Sequence, residues 1–196
     1  MEAHRVEPSE IAPVAETLAR AFHDDPVWGW VFSDPGRRHA QLTALWTLLL
    51  EGGVGYRWVW TTPDAEAATL WIPPGRPELS EAHEARLGPM LRGAAGSGAE
   101  LVREVHQCFE AAHPHHVDHY YLSLLGTHPD HRGHGTGMAL LADNLAVVDA
   151  EGEPAYLEST NPANLDRYRS VGFAVAGQFT LPHGGPTVTT MWREPR

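Results

Sequence analysis

Apolar residues recur along this chain with two different periods, and the switches between them predict alternating helices and strands. Tyr120–Thr127 reads as an apolar strand, and His128-Pro129-Asp130 turns the chain after it. A helix is predicted from about Thr136, where Leu141, Leu145 and Val148 fall at i, i+4 and i+7. Upstream, residues 4–7 predict a short strand and residues 8–22 an amphipathic helix, broken by Asp24-Asp25-Pro26. Residues 34–50 predict a second helix with a heavily apolar end (Leu42, Leu45, Trp46, then Leu48 to Leu50), while Trp30 and Phe32, at i and i+2, fit one strand-like face. Residues 55–61 and Ala67–Ile72 flank a Pro63-Asp64 turn and predict a hairpin. Residues 80–91 and Ala99–Ala112 predict helices separated by a loop at 93–98. Residues 155–160 predict a strand, and 174–181 with 187–192 an antiparallel pair around His183-Gly184-Gly185-Pro186.

This order predicts a mixed α/β fold, with residues 1–196 as a single domain. No repeat, long linker or low-complexity tail interrupts it. A 196-residue chain that is 42% hydrophobic can build a real core. No window approaches the ~18 consecutive apolar residues of a membrane span, and the N-terminus lacks a basic-then-apolar leader, so the expectation is a cytoplasmic protein without a membrane partner. A lone cysteine, Cys108, excludes an intramolecular disulfide framework and fits a reducing compartment. The formal net charge of −11 argues against a basic nucleic-acid-binding surface; it fits either simple solubility or a cationic amine substrate. Monomer and homodimer both remain open.

The densest chemistry lies in Arg132-Gly133-His134-Gly135-Thr136-Gly137-Met138, between the apolar strand and the helix. Glycines there let the backbone pass close to a ligand, and the unpaired amides and dipole of a helix N-terminus attract phosphate. A Walker loop is excluded because no Gly-Lys-Ser/Thr follows, and the spacing is not G-x-G-x-x-G. Downstream, Asn161 suits a helix N-cap and Pro162 the first helical position, while Gly172 is placed to end the helix with Phe173 packing back on its last turn.

Arg132-x-x-Gly135-x-Gly137 resembles the acyl-CoA-binding signature of the GNAT N-acetyltransferases. The run Asn161-x-x-Asn164-x-x-x-Tyr168-x-x-x-Gly172-Phe173 resembles the second half of the same site, in the same order. The likeness runs from Tyr120 to the C-terminus. Within the family, the texture of Ala21-Phe22-x-Asp24-x-Pro26, Gly126-x-x-Pro129-Asp130-His131 and Pro154-Ala155-x-Leu157-Glu158 resembles puromycin N-acetyltransferase-like drug acetyltransferases.

The resemblance implies a central mixed, mostly antiparallel sheet, splayed at the acyl-CoA site and flanked by helices. It implies direct attack of an amine on acetyl-CoA in a ternary complex, without an acyl-enzyme. A strand bulge would free a backbone N–H for the thioester oxygen at Leu124 or Leu125; such an oxyanion donor is worth ~3 kcal/mol of barrier. The backbone of Leu125, Gly126 and Thr127 would track the pantetheine, and residues 132–138 would cradle the pyrophosphate. Tyr168 would protonate the departing thiolate, a phenol (reference pKa about 10) being well matched to a thiol (about 8.5); the alternative is packing against Phe173 alone. Asn161 and Asn164 fit hydrogen bonds to CoA, and Asn161 equally fits a cap. The general base is less defined, since the strand reads Leu122-Ser123-Leu124 where many members carry Glu. Glu158 is the best candidate, against a purely structural strand-end carboxylate, with His119, Tyr120 and Ser123 as candidates for a water relay. Asp24, Asp25, Trp28 and Trp30, with Ser123, would contact the acceptor.

Seven of the thirteen histidines fall between His113 and His134. No paired cysteine, H-E-x-x-H or tetrahedral ligand set accompanies them, so no metal is expected. Three activities follow: acetylation of a small amine such as an antibiotic or other natural product, acetylation of a protein or peptide, or CoA binding without catalysis.

Overall fold

The computed structural model describes residues 2–94 and 99–196. Seven strands form one sheet in the order β1-β2-β3-β4-β5-β7-β6. These are β1 (His4–Arg5), β2 (Val59–Thr61), β3 (Ala67–Ile72), β4 (Tyr120–Thr127), β5 (Ala155–Ser159), β6 (Ala174–Thr180) and β7 (Thr187–Arg193). Every pairing is antiparallel except β4 with β5. That parallel ladder joins only Tyr120–Leu122 to Ala155–Leu157. Beyond it the two strands part, as expected of a splayed sheet.

Among the described residues, seven α-helices flank the sheet: α1 (Ile11–Ala21), α2 (Pro26–Val31), α3 (Pro35–Val54), α4 (Glu81–Ala94), α5 (Ala99–Ala112), α6 (Thr136–Glu151) and α7 (Leu165–Ser170). Most boundaries agree with the sequence periodicity. Four do not. The first hairpin strand begins at Val59 rather than Gly55. The second predicted helix continues to Val54. Gly93 and Ala94, expected in a loop, close α4, while the rest of that loop, 95–98, lies outside the described residues. Trp30 sits in helix α2 rather than on a strand-like face, with Phe32 as its C-cap. The cause is local: Asp25 caps α2, accepting from the Val27 and Trp28 amides, and Pro26 occupies its first turn.

A one-residue slip in β4 decides which face each side chain takes. Leu70 of β3 pairs with Leu124 but Trp71 pairs with Leu122, leaving Ser123 as the extra residue of a bulge. Because strand side chains alternate, the slip switches faces. Tyr120 and Leu122 join the core beneath α6, with Leu141, Leu145 and Val148. Leu124 joins the opposite core with Leu18, Leu42 and Leu70. Helix α6 is tied to the sheet by buried Asn144, whose Oδ1 accepts from Thr69 Oγ1 at 2.7 Å and Trp71 Nε1 at 3.0 Å. Asp149 of α6 receives both Arg193 guanidinium nitrogens of β7, at 2.6 and 2.7 Å.

Candidate functional site

The glycine-rich turn keeps its backbone open. Gly133 and Gly135 have φ of +87° and +80°, and Cβ atoms there would meet nothing within 4 Å, so conformation rather than space calls for glycine. The first α-helical bond of α6 runs from the Ala139 amide to the Gly135 carbonyl. The amides of Thr136, Gly137 and Met138 therefore lack helical partners and, with the helix dipole, form an anion-binding end. Arg132 holds this loop in place: its Nη2 donates to the Ala21 carbonyl at 2.7 Å and its Nε to that of Thr127 at 3.3 Å. Its guanidinium thus bonds the protein rather than pointing free.

The loop opens on a cleft of about 500 Å³ lined by Gly126, Thr127, Arg132, Gly135, Asn161 and Tyr168, among others, a size suited to a small-molecule ligand. His134 is not part of this lining. Gly126 also has a packing reason, since a Cβ there would come within 2.8 Å of Leu18 Cδ2. Asn161 caps the short 3-10 turn Pro162–Asn164, its side chain accepting from the Ala163 amide at 3.0 Å, while Asn164 Oδ1 accepts from Arg167 at 2.8 Å. Helix α7 then closes as expected: the Gly172 amide donates to the Arg169 carbonyl and the Phe173 amide to that of Tyr168.

Tyr168 joins this cleft to a narrower chamber of about 110 Å³ between the splayed strands, where Ser123, Leu124, Leu125, Glu158 and Thr160 also lie. Its ring centroid is 6.2 Å from that of Phe173. Burial, helped by the nearby Asp25 charge, pushes its hydroxyl up to about 12, so it stays protonated near neutrality. The bulge falls at Ser123, one residue before the Leu124–Leu125 position expected for it.

Beyond the chamber, a third cavity of about 480 Å³ opens on the side of α4, α5 and the loop before β4. It shares Glu78, His106, Phe109, Tyr121 and Glu158 with the chamber. Five carboxylates (Glu78, Glu84, Glu110, Asp118, Glu158) line it against one guanidinium, Arg76. Glu158 dominates its floor. The Glu158 side chain is 1% exposed, and neither carboxylate oxygen meets a donor in good hydrogen-bond geometry, although the Tyr121 and Tyr156 hydroxyls lie near enough to interact with it. The His113 ring lies beside it, with Nδ1 3.8 Å from Oε1. Burial, reinforced by the Glu158 charge, holds the Tyr121 and Tyr156 hydroxyls far above their ordinary values. Glu78 accepts a hydrogen bond from Ser123 Oγ. Its acidity is weakened first by burial and then by Glu158, partly offset by Ser123, His106 and His113.

The sequence-predicted acceptor residues divide. Asp25 is committed to the fold, its Oδ2 accepting from Thr160 Oγ1 at 2.7 Å. Asp24 and Asp25 border the phosphate-loop cleft rather than the acidic cavity. Trp28 lines the chamber and packs edge-on against Trp46 at 4.8 Å. Trp30 packs against Gly185 and reaches none of the three cavities. Glu78 and His106 had no motif to mark them, and His113 stood out only as one member of a histidine cluster. Among the described residues, no group of three or more His, Cys, Asp or Glu side chains is placed to hold a metal ion. Nor is any helix among them long and apolar enough to cross a membrane.

The architecture is that of GNAT acetyltransferases. The chain is similar over 99% of its length to 96% of a structure described as histone acetyltransferase HPA2 and related acetyltransferase from Corynebacterium glutamicum, at 24% identity and a TM-score of 0.69. It also resembles an agmatine N-acetyltransferase (15% identity, 98% of each chain, TM-score 0.60). A third similar structure is arylalkylamine N-acetyltransferase 2 from Aedes aegypti (12% identity, 100% of this chain and 99% of that one, TM-score 0.61). At these identities the likeness is one of fold. No protein-family model matches the chain.

Proposed function

We propose that the protein transfers an acetyl group from acetyl-CoA to a primary amine of a small molecule, by direct attack in a ternary complex. The observation that carries this reading is Glu158: a carboxylate 1% exposed and without a well-formed hydrogen bond, at the junction of the strand-splay chamber and the acidic cavity. Burying such a group unsatisfied is costly, and an incoming ammonium removes that cost. The surrounding carboxylates favour a cation over a neutral or anionic acceptor. Agmatine and arylalkylamine N-acetyltransferases are among the similar folds, alongside a histone acetyltransferase-related structure, and the first two are in keeping with this choice.

In this reading, the open amides of Thr136, Gly137 and Met138 hold the pyrophosphate of the donor, and the acetyl thioester enters the chamber. Glu158 takes one proton from the acceptor ammonium, freeing the lone pair to attack the thioester carbon. A backbone amide freed by the β4 bulge stabilises the developing oxyanion. Collapse of the tetrahedral species breaks the carbon–sulfur bond, Tyr168 donates its hydroxyl proton to the thiolate, and the second proton shed by the attacking nitrogen returns to the Tyr168 phenolate through solvent. Antibiotics and other natural products bearing a primary amine are the preferred acceptors, in keeping with the drug-acetyltransferase texture of the sequence.

The test is thiol release from acetyl-CoA across a panel of aminonucleosides, aminoglycosides, diamines and arylalkylamines. Saturable, amine-dependent release with a mass increase of the amine by one acetyl group is expected. Tight CoA binding with no release by any amine would replace this reading with that of a CoA-binding module.

A further inference from the structure

Two histidines form an ordered pair beside Glu158. His119 lies just before β4, is 8% exposed, and its Nδ1 is 2.7 Å from the Val117 carbonyl oxygen. A carbonyl only accepts, so Nδ1 of His119 carries the hydrogen. In neutral His119 the other nitrogen, Nε2, is then an acceptor. That Nε2 lies 3.0 Å from His113 Nε2, which must donate. Neutral His113 is thereby left with a bare Nδ1, and this is the atom facing Glu158 Oε1 at 3.8 Å. The Val117 carbonyl thus dictates, through two imidazoles, a proton acceptor aimed at the buried carboxylate.

We propose that His113 carries the acceptor's proton from Glu158 out to the acidic cavity, and that His119 is the positioning residue that keeps His113 in the tautomer able to accept it. The proposal rests on the reading of Glu158 as the base. In proton terms, the ammonium gives one proton to Glu158 Oε1. Since 3.8 Å exceeds direct hydrogen-bond reach, one intervening water bridges the two: it takes the Oε1 proton as it gives one to His113 Nδ1, and the carboxylate is restored. The His113 imidazolium is stabilised by its hydrogen bond to His119 Nε2, and it is 22% exposed in a cavity both histidines line. It releases the Nδ1 proton to solvent there, and the starting tautomer returns.

The surroundings suit both states. Burial holds His119 below its ordinary value, against the opposing Val117 hydrogen bond and the charges of Glu158 and Asp118, which keeps it a neutral acceptor near pH 7. His113 is faced by His119 and His115, by the rings of Tyr121 and Tyr156, and by Glu158 and Glu78. His119 is faced by His113, Tyr156 and Trp192, with Asp118 and Glu158 nearby. Two carboxylates thus offset the new charge on His113.

Two measurements decide it. Ring nitrogen-15 NMR of the full chain at pH 8 distinguishes the neutral tautomers and needs no substrate. The expected result is Nε2–H for His113 and Nδ1–H for His119; Nδ1–H on His113 overturns the proposal. In the acetylation assay, His113→Ala lowers kcat by about 100-fold, the lower end of the range for a lost proton-transfer group, with KM for acetyl-CoA unchanged. Added imidazole restores turnover in a concentration-dependent way. His119→Phe shows a smaller loss, and His119→Gln, whose Oε1 can accept from His113, recovers most of it. Wild-type turnover in His113→Ala, or a loss that imidazole never relieves in this variant and in His113→Gln, overturns the relay. If the wild-type enzyme acetylates no amine, the proposed function falls, while the tautomers still judge the pair.

Discussion

Ser123, the extra residue of the β4 bulge, donates its hydroxyl hydrogen to Glu78 Oε1 across 45 residues of sequence. The bond hangs the loop before α4 on the strand that switches faces, and it brings a second buried carboxylate to the cavity that holds Glu158. Like charges in one cavity oppose each other's ionisation. Glu158→Gln removes that repulsion, so Glu78, whose acidity burial and the Glu158 charge weaken, is expected to ionise at a lower pH than in the wild type. Carbon-13 NMR of the labelled glutamate carboxyls reads that titration directly. A Glu78 titration that stays in place would show that burial alone weakens it.

Tyr168 makes a different pH statement. With its hydroxyl pushed up to about 12 by burial and Asp25, the phenol remains a proton donor throughout the range in which the enzyme can be assayed. Wild-type kcat should therefore show no fall from Tyr168 ionisation across the neutral and mildly alkaline range. Tyr168→Phe should lower kcat about 100-fold, within the span of general-acid contributions, and leave the Kd for acetyl-CoA within about two-fold. Equal turnover in that variant would reduce Tyr168 to its contact with Phe173.

How far the molecule was legible in sequence depended on the reach of each signal. The β4–α6 turn and the helix from Asn161 to Gly172 were readable because capping residues, glycines and period all lie within a dozen positions. Helix α2 was hidden by its length, since six residues cannot display a 3.6 period, although Asp25 and Pro26 carried the start signal. The face switch at Ser123 was invisible because it exists only relative to β3. The expected acceptor wall failed at Trp30 because packing on Gly185 turned that ring away from the cavities. Glu78, His106 and His113 come from a loop, the body of α5 and the segment just after it, and only the folded chain sets them around Glu158.

Gly137 and Thr127 give a test of the donor side. A Cβ on Gly137 would lie 2.3 Å from Thr127 Oγ1 and 3.7 Å from Thr127 Cβ. Gly137→Ala must therefore displace either Thr127 or the first turn of α6, whose amides form the anion-binding end. Misplacement of such a site by about 1 Å can cost up to about 100-fold, and the Kd for acetyl-CoA by calorimetry is expected to rise at least ten-fold toward that bound. Because the close contact is with the hydroxyl alone, the second substitution Thr127→Ala should recover most of the loss. Failure of the double variant to recover would place the strain elsewhere.

Asp149 and Arg193 carry the pH dependence of stability on the opposite face. The bidentate pair, joined by the Arg196 amide at 3.0 Å from Asp149 Oδ1, holds the Asp149 carboxyl below its ordinary value of 3.8. A carboxyl depressed in the folded state stabilises fully above the unfolded value and loses that contribution as pH falls through the folded one. Asp149→Asn should thus lower Tm at pH 7, where the native carboxylate is charged and Arg193, 4% exposed, would be left without its counter-ion. The gap between variant and wild type should narrow as pH falls from 3.8, where the unfolded carboxyl takes up its proton, through the lower value of the folded one. Thermal unfolding of both proteins from pH 7 down to the acid limit of solubility measures this directly. A gap that stays constant with pH would mean that Asp149 acts through shape rather than charge.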